Sequence, residues 1–182
     1  MKQNTVAKPK AIYYEQASNR LLFRKMTLED HSAWLEFFAE EDDYHRFLGQ
    51  DLTIAKKTRA KIWIERQIQR MDEKHYGQLA ILEQSSGNLI GLGGIIMREM
   101  NGTIEYEVTY SLIPRYWGKG YATELAQHFS GYAREHLEID SVISMIHPEN
   151  IASIKVAQRN NMTLDGEFFI FGMNLAVYRQ VF

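Results

Sequence analysis

The sequence predicts an α/β fold: a single mixed, mainly antiparallel, twisted sheet with helices on both faces, in the order β-α-α-β-β-β-α-β-α-β-β. Three observations point there. Strand-type segments occur both before and after helical ones. Two turn signals, 84–88 (QSSGN) and Asn101-Gly102, divide a long strand-type stretch into three runs. Beyond Pro114 the apolar spacing switches from the strand period to the helical one. With 182 residues, 45% hydrophobic and 12% aromatic, the chain can bury one good core and is short for two. One domain is therefore expected over 20–182, preceded by a loosely held polar arm over 1–19.

In chain order, 20–25 (RLLFRK) reads as the first strand. Thr27-Leu28-Glu29-Asp30 then has capping-box spacing and opens a helix carried on by Trp34, Phe37 and Phe38. Ala60, Ile64, Ile68 and Met71 fall on one face of a second helix. The composition changes at His75-Tyr76-Gly77, after which 79–83, 89–97 and 103–112 form three antiparallel strands. Ala122, Leu125, Ala126, Phe129, Tyr132, Ala133 and Leu137 trace one face of a helix beginning near Gly120. A strand over 141–146, a short helix over 150–160 and closing strands over 164–170 and 174–181 complete the order. The strands on either side of the Gly120 helix are expected to run parallel, because a helical crossover joins them.

Composition narrows the function. A net charge of −2 with scattered Lys and Arg offers no long-range attraction for nucleic acid or an anionic membrane. The absence of cysteine excludes disulfides, thiolate metal sites and a cysteine nucleophile. The six histidines form no HExxH pair, and His128 and His136 lie two helical turns apart without a spaced carboxylate, so no metal is expected. The opening MKQNTVAKPK has no apolar stretch of the secretory type, and no apolar run approaches the ~18 residues that span a bilayer. A cytoplasmic protein without nucleic-acid or membrane partners is expected, with a homodimer left open. Tyr116 and Trp117 lack the basic groove of a base-stacking platform and read as loop packing.

The most informative stretch runs from Tyr110 to Glu124 (YSLIPRYWGKGYATE). A strand ends, two glycines sit on the turn, and an amphipathic helix begins. Glycines let several N–H groups point into one concavity, and the unpaired N–H groups of the first helical turn add partial positive charge there. Such a turn binds phosphate, or it is simply a tight strand-to-helix connection. It is not a Walker A loop, since Gly120 follows Lys119 where Ser or Thr is needed. Gly91-Leu92-Gly93-Gly94 is not a dinucleotide fingerprint, since Ile96 stands at the third glycine.

Arg115-x-x-Gly118-x-Gly120 followed by Tyr121-Ala122-Thr123-Glu124 resembles the acyl-CoA pyrophosphate loop of the GNAT superfamily of N-acetyltransferases. The runs Glu107-Val108-Thr109-Tyr110 and His147-Pro148-Glu149-Asn150-x-x-Ser153 resemble its ribosomal-protein N-terminal acetyltransferase (RimJ/RimL-like) branch. The resemblance covers Arg20 to the C-terminus and implies the acyl-CoA N-acyltransferase fold with acetyl-CoA as cosubstrate. It implies cofactor contacts from Leu112, Arg115, Trp117, Gly118, Lys119, Gly120, Tyr121, Ala122 and Asn150. The pyrophosphate would lie on the backbone N–H groups of 117–121, with Arg115 and Lys119 adding charge. The thioester would lie between the splayed strands ending at Leu112 and Ile146, near an oxyanion-stabilising backbone N–H at Leu112.

Acetyl transfer to an amine needs a free lone pair, so a base must take the ammonium proton. Glu107 is the candidate base, a solvated strand carboxylate or a water route being the other readings. The helix tyrosine that many family members use as acid would fall at Ala157, which cannot serve. Ser153 is the replacement implied by the branch, although it and Asn150 also suit helix capping. Asn161 stands where the family has glycine and retains access to the left-handed conformation. The acidic run Glu40-Glu41-Asp42-Asp43 crowds a helix C-terminus, where it is locally unfavourable. It suits a small cationic amine or a peptide N-terminus as acceptor, or else is a solvated surface. A non-catalytic acyl-CoA-binding regulatory module is the alternative function.

Overall fold

The computed structural model describes residues 12–39, 43–74 and 76–182. Two short strands, β1 (Gln16–Ala17) and β2 (Leu21–Arg24), are followed by a helical stretch from Leu28 to Phe38. The Thr27–Asp30 box forms as expected, with the Thr27 N–H donating to Asp30 Oδ2 at 2.9 Å. Only one turn of this stretch, α1 (His31–Trp34), is α-helical, flanked by 3-10 turns Leu28–Asp30 and Leu35–Phe38. In 3-10 geometry residues three apart eclipse, and Trp34 and Phe37 stack at 4.4 Å.

After a 3-10 segment, Asp43–Leu48, come α2 (Lys56–Lys74), β3 (Gln78–Glu83), β4 (Leu89–Met100) and β5 (Thr103–Leu112). The positive φ values of Asn101 (50°) and Gly102 (77°) close the β4–β5 hairpin as its turn signal predicts. Then follow α3 (Tyr121–His136), β6 (Ser141–Ile146), α4 (Ile151–Arg159), β7 (Thr163–Ile170) and β8 (Met173–Val181). Asn161 takes the left-handed conformation, φ 57°, expected after α4.

The eight strands form one sheet in the order β1-β2-β3-β4-β5-β6-β8-β7. All neighbours pair antiparallel except β5 and β6, which the α3 crossover makes parallel. Period-two alternation gives each face its own helix. On one face an added Cβ at Gly93 would meet Leu125 of α3 and Ile81 of β3, so α3 lies close against the sheet. On the other, Trp63 of α2 donates to Gln78 Oε1 at 2.6 Å, and Gln78 Nε2 donates to Thr109 Oγ1 at 3.3 Å.

The packed domain starts earlier than expected. Tyr13 anchors the arm foreseen over 1–19 in the core, and β1 adds an eighth strand to the seven predicted. Tyr13 is 2% exposed and packs edge-on against Tyr76 and Tyr132. Its hydroxyl donates to Gly77 O at 2.7 Å and accepts from Ile95 N–H. A Cβ on Gly94 would lie 2.3 Å from that hydroxyl, so glycine and a φ of +147° are what admit Tyr13. Polar composition hid a single anchoring aromatic.

Candidate active site

The sheet opens at one place. β5 and β6 are paired only at Glu107↔Ile143. Beyond it, Ser144 Oγ donates to Val108 O at 2.7 Å, substituting a side chain for the next ladder bond and ending the pairing. Ile113 N–H bonds back to Ile90 O at 2.9 Å. By antiparallel alternation, Leu112 and Tyr110 then turn their N–H groups away from β4 and into the gap beside β6. Leu112 O is already taken by Trp117 Nε1 at 2.7 Å. The gap is thus lined by backbone donors from one strand.

At its mouth the chain turns through a 3-10 segment, Pro114–Tyr116, into α3. Gly118 and Gly120 both take positive φ, 74° and 81°, and Gly120 caps the helix. The first backbone bond of α3 is Glu124 N–H to Gly120 O at 3.1 Å, which leaves the preceding loop donors facing outward. An added Cβ at Gly118 would meet nothing within 4 Å, so the concavity is open. Two expected contributions need correction. The Trp117 N–H is not a loop donor, because it closes the 3-10 turn onto Pro114 O at 2.9 Å. The Arg115 guanidinium is engaged with Glu36 and lies 5.0 Å over the Tyr116 ring, so its charge is already partly matched. Lys119 Nζ also sits over Tyr116, at 4.9 Å.

Sequence reasoning missed the residue that braces this loop. Arg20 donates Nη1 to Lys119 O at 2.9 Å and Nε to Glu124 Oε2 at 2.7 Å, and covers the Tyr121 ring at 4.5 Å. Glu124 Oε1 in turn accepts from Ser18 Oγ (2.6 Å) and Arg20 N–H (2.7 Å). Tyr121 is tied through its hydroxyl to Glu83, and Ala122 lies in the first turn of α3. A glutamate four residues past the second glycine was the available signal, but its partner lies 104 residues away in the chain.

A cavity of about 470 Å³ takes its lining from α2, β4, both faces of β5, β6 and α4, and so reaches through the gap. Glu107, Tyr110, Asn150 and Ser153 meet there. Glu107 is 5% exposed, and its Oε2 accepts from Arg98 Nε at 2.7 Å. Burial of a carboxylate is tolerated because that guanidinium pairs with it. Asn150 caps α4, its Oδ1 accepting from Ser153 N–H at 3.1 Å, while the Ser153 residue lines the cavity. Tyr110, also missed, donates its hydroxyl to Ser153 O at 3.3 Å, and burial raises it above its ordinary value. Ala157 is in the core. Glu40, Glu41 and Asp42 lie outside the described residues, as does the side chain of Asp43. Among the described residues no group of three His, Asp or Glu could hold a metal ion.

A family model described as an acetyltransferase (GNAT) domain matches residues 20–163. The Bacillus subtilis (strain 168) protein YkkB is 31% identical over 111 residues, 60% of this chain. The chain spans 64% of that relative's length. Among solved structures, the acetyltransferase from Agrobacterium tumefaciens str. C58 superposes with a TM-score of 0.74 at 25% identity, over 95% of this chain and 99% of that one. RimL, a ribosomal L7/L12 alpha-N-protein acetyltransferase in complex with coenzyme A, superposes with a TM-score of 0.68 at 17% identity, over 92% and 97%.

Proposed function

The chain belongs to the GNAT acetyltransferase family, and we infer that it is an acyltransferase. On that premise we propose that it moves an acetyl group from acetyl-CoA to a primary amine, a peptide N-terminus or a small amine, by direct attack in a ternary complex. The observation that carries this reading is the single opening in the sheet, with the Tyr110 and Leu112 donors turned into it and the glycine turn at its mouth. A cytoplasmic location belongs to the same reading. Among the described residues no helix is long and apolar enough to cross a membrane.

The residues fit the cosubstrate. The N–H groups of Gly118, Lys119, Gly120, Tyr121 and Ala122 would hold the pyrophosphate, with the charge of Lys119 beside them. Asn150 and the Leu112 N–H would hold the pantetheine arm. The Tyr110 N–H, deeper in the gap and nearer Glu107, is then the donor that serves the oxyanion, a shift of two residues from the sequence expectation. Acetyl-CoA supplies the thioester: the amine nitrogen forms the new C–N bond to its carbonyl carbon, and the C–S bond breaks to release a thiolate. Glu107 takes the ammonium proton, directly or through one water. Ser153 Oγ and the Tyr110 phenol are the donors available to the thiolate.

The buried methyl of Ala157, where many members have a tyrosine, favours a second reading, a non-catalytic acyl-CoA-binding module. Steady, acceptor-dependent release of free CoA separates the two. Release that Glu107→Gln cuts by about 10²-fold or more supports catalysis. A wild type that binds acetyl-CoA yet releases no CoA whichever amine is supplied supports the module.

A further inference from the structure

Six charged side chains line the acceptor side of the cavity: Arg59, Arg66, Arg70 and Arg98 against Asp51 and Glu107. Three of the arginines come from one face of α2, where residues three, four and seven apart align. Arg66 and Arg70 are an i,i+4 like-charge pair, an arrangement that costs helix stability. Opposite them on β4, Arg98 is the one arginine whose carboxylate partner faces the same cavity. Among the described residues Arg70 donates only to the neutral Gln67 Oε1, at 3.3 Å, and no ion pair joins Arg66 or Arg70 to a carboxylate. Burial, with Arg98 and Arg66 nearby, pushes Arg70 down to about 10, and Glu107 offsets this only in part. Arg59 is 9% exposed, with Nη1 on Gln50 Oε1 at 3.2 Å and a buried Nε that has no acceptor. Asp51 answers Arg59 through space rather than by an ion pair, its Oδ1 accepting from the Thr53 N–H and hydroxyl.

Four arginines against two carboxylates leave the lining net positive, with Arg59 buried, Arg70 and Arg98 half-buried and Arg66 exposed at the rim, and such a lining favours an anion from outside. We propose, resting on the acetyl-transfer reading above, that the acceptor is a small amine carrying a carboxylate or phosphate, seated by Arg70 with Arg66 and Arg98. The planar guanidinium forks suit the paired oxygens of either group. Because Arg98 is bonded to Glu107, the anion and the reacting amine lie within a few bonds of each other, as in a short acidic peptide or an aminoalkyl phosphate. The cavity, about 470 Å³, is of a size for such a ligand. The acceptor proposed here differs from the cationic amine expected from Glu40-Glu41-Asp42-Asp43 in carrying an anionic group beside its amine.

The test uses the full chain saturated with CoA, so that the pyrophosphate turn is filled and any further anion binds elsewhere. Calorimetry then compares glycylglutamate with glycylglutamine amide, and phosphoethanolamine with ethanolamine. The anionic member of at least one pair should bind at least tenfold more tightly, and the pair showing the preference tells carboxylate from phosphate. Arg70→Gln should abolish the preference while CoA affinity is unchanged, and Arg70→Lys should restore part of it. Equal or weaker binding of both anionic members by CoA-loaded protein overturns the proposal, as does an undiminished preference in Arg70→Gln. Failure to bind CoA at all would instead overturn the acetyl-transfer reading.

Discussion

Glu107 and Tyr110 are three residues apart on β5 and so project to opposite faces of the sheet, which separates a base on the acceptor side from an acid on the side of α4. Glu107→Gln should lower kcat by about 10²- to 10⁴-fold, with acetyl-CoA affinity unchanged, as read by acceptor-dependent CoA release. Tyr110→Phe should also lower kcat at constant acetyl-CoA affinity, and combining it with Ser153→Ala should cost more than either alone if both hydroxyls deliver the proton. Glu107 was legible because it lies in a run with family resemblance. Its partner was not, because Arg98 meets Glu107 only after the Asn101-Gly102 turn sets the β4–β5 register. Tyr110 stands in the same run, but the place of its hydroxyl beside α4 follows only from the fold. The error at the Trp117 N–H has a different source: Pro114 starts a 3-10 turn whose closing donor is that amide, and a motif read as a string does not reveal it.

At the scale of elements, one hydroxyl bridges β5 and β6 where their pairing ends. Ser144→Ala leaves Val108 O without its donor in a buried site and should destabilise the fold by about 1–3 kcal/mol, measured by urea denaturation. Asn150→Ala removes the cap of α4 and should cost about 1 kcal/mol in the same measurement. The strands of the central meander and the helix after Gly120 were legible because alternation, turn residues and apolar spacing agree at each of them. The 27–38 helix was legible in its start and not in its type, since a capping box marks where a helix opens and not whether it runs as 3-10 or α. β1 is two residues long and carries no period to read.

The whole molecule ties distant segments together through ionisable groups, and this gives stability a pH dependence. Burial pushes His128 below its ordinary value, where it stacks on Phe23 at 4.7 Å. A histidine kept neutral by the fold contributes stability above its unfolded value of ~6.5, and loses it as pH falls through the folded one. Burial alone would raise Asp30, but Arg24 and the Thr27 N–H outweigh it and hold the carboxyl below its ordinary range. That contribution is full above ~3.9 and disappears as pH falls further. The urea midpoint should therefore decline below about pH 6.5 and more steeply below about pH 4, and Asp30→Asn should flatten the lower limb. Neither the burial of Tyr13 nor the arginine excess of the cavity was legible in a chain of net charge −2, because both depend on which segments the sheet brings together. The most direct measurement is calorimetric titration of acetyl-CoA into the wild type and Gly118→Glu, which sets a carboxylate in the open concavity. Tight binding by the wild type, weakened at least tenfold in a folded variant, is the expected result. No binding by a folded wild type, or equal binding by both, would contradict the assignment of this turn and gap to acetyl-CoA.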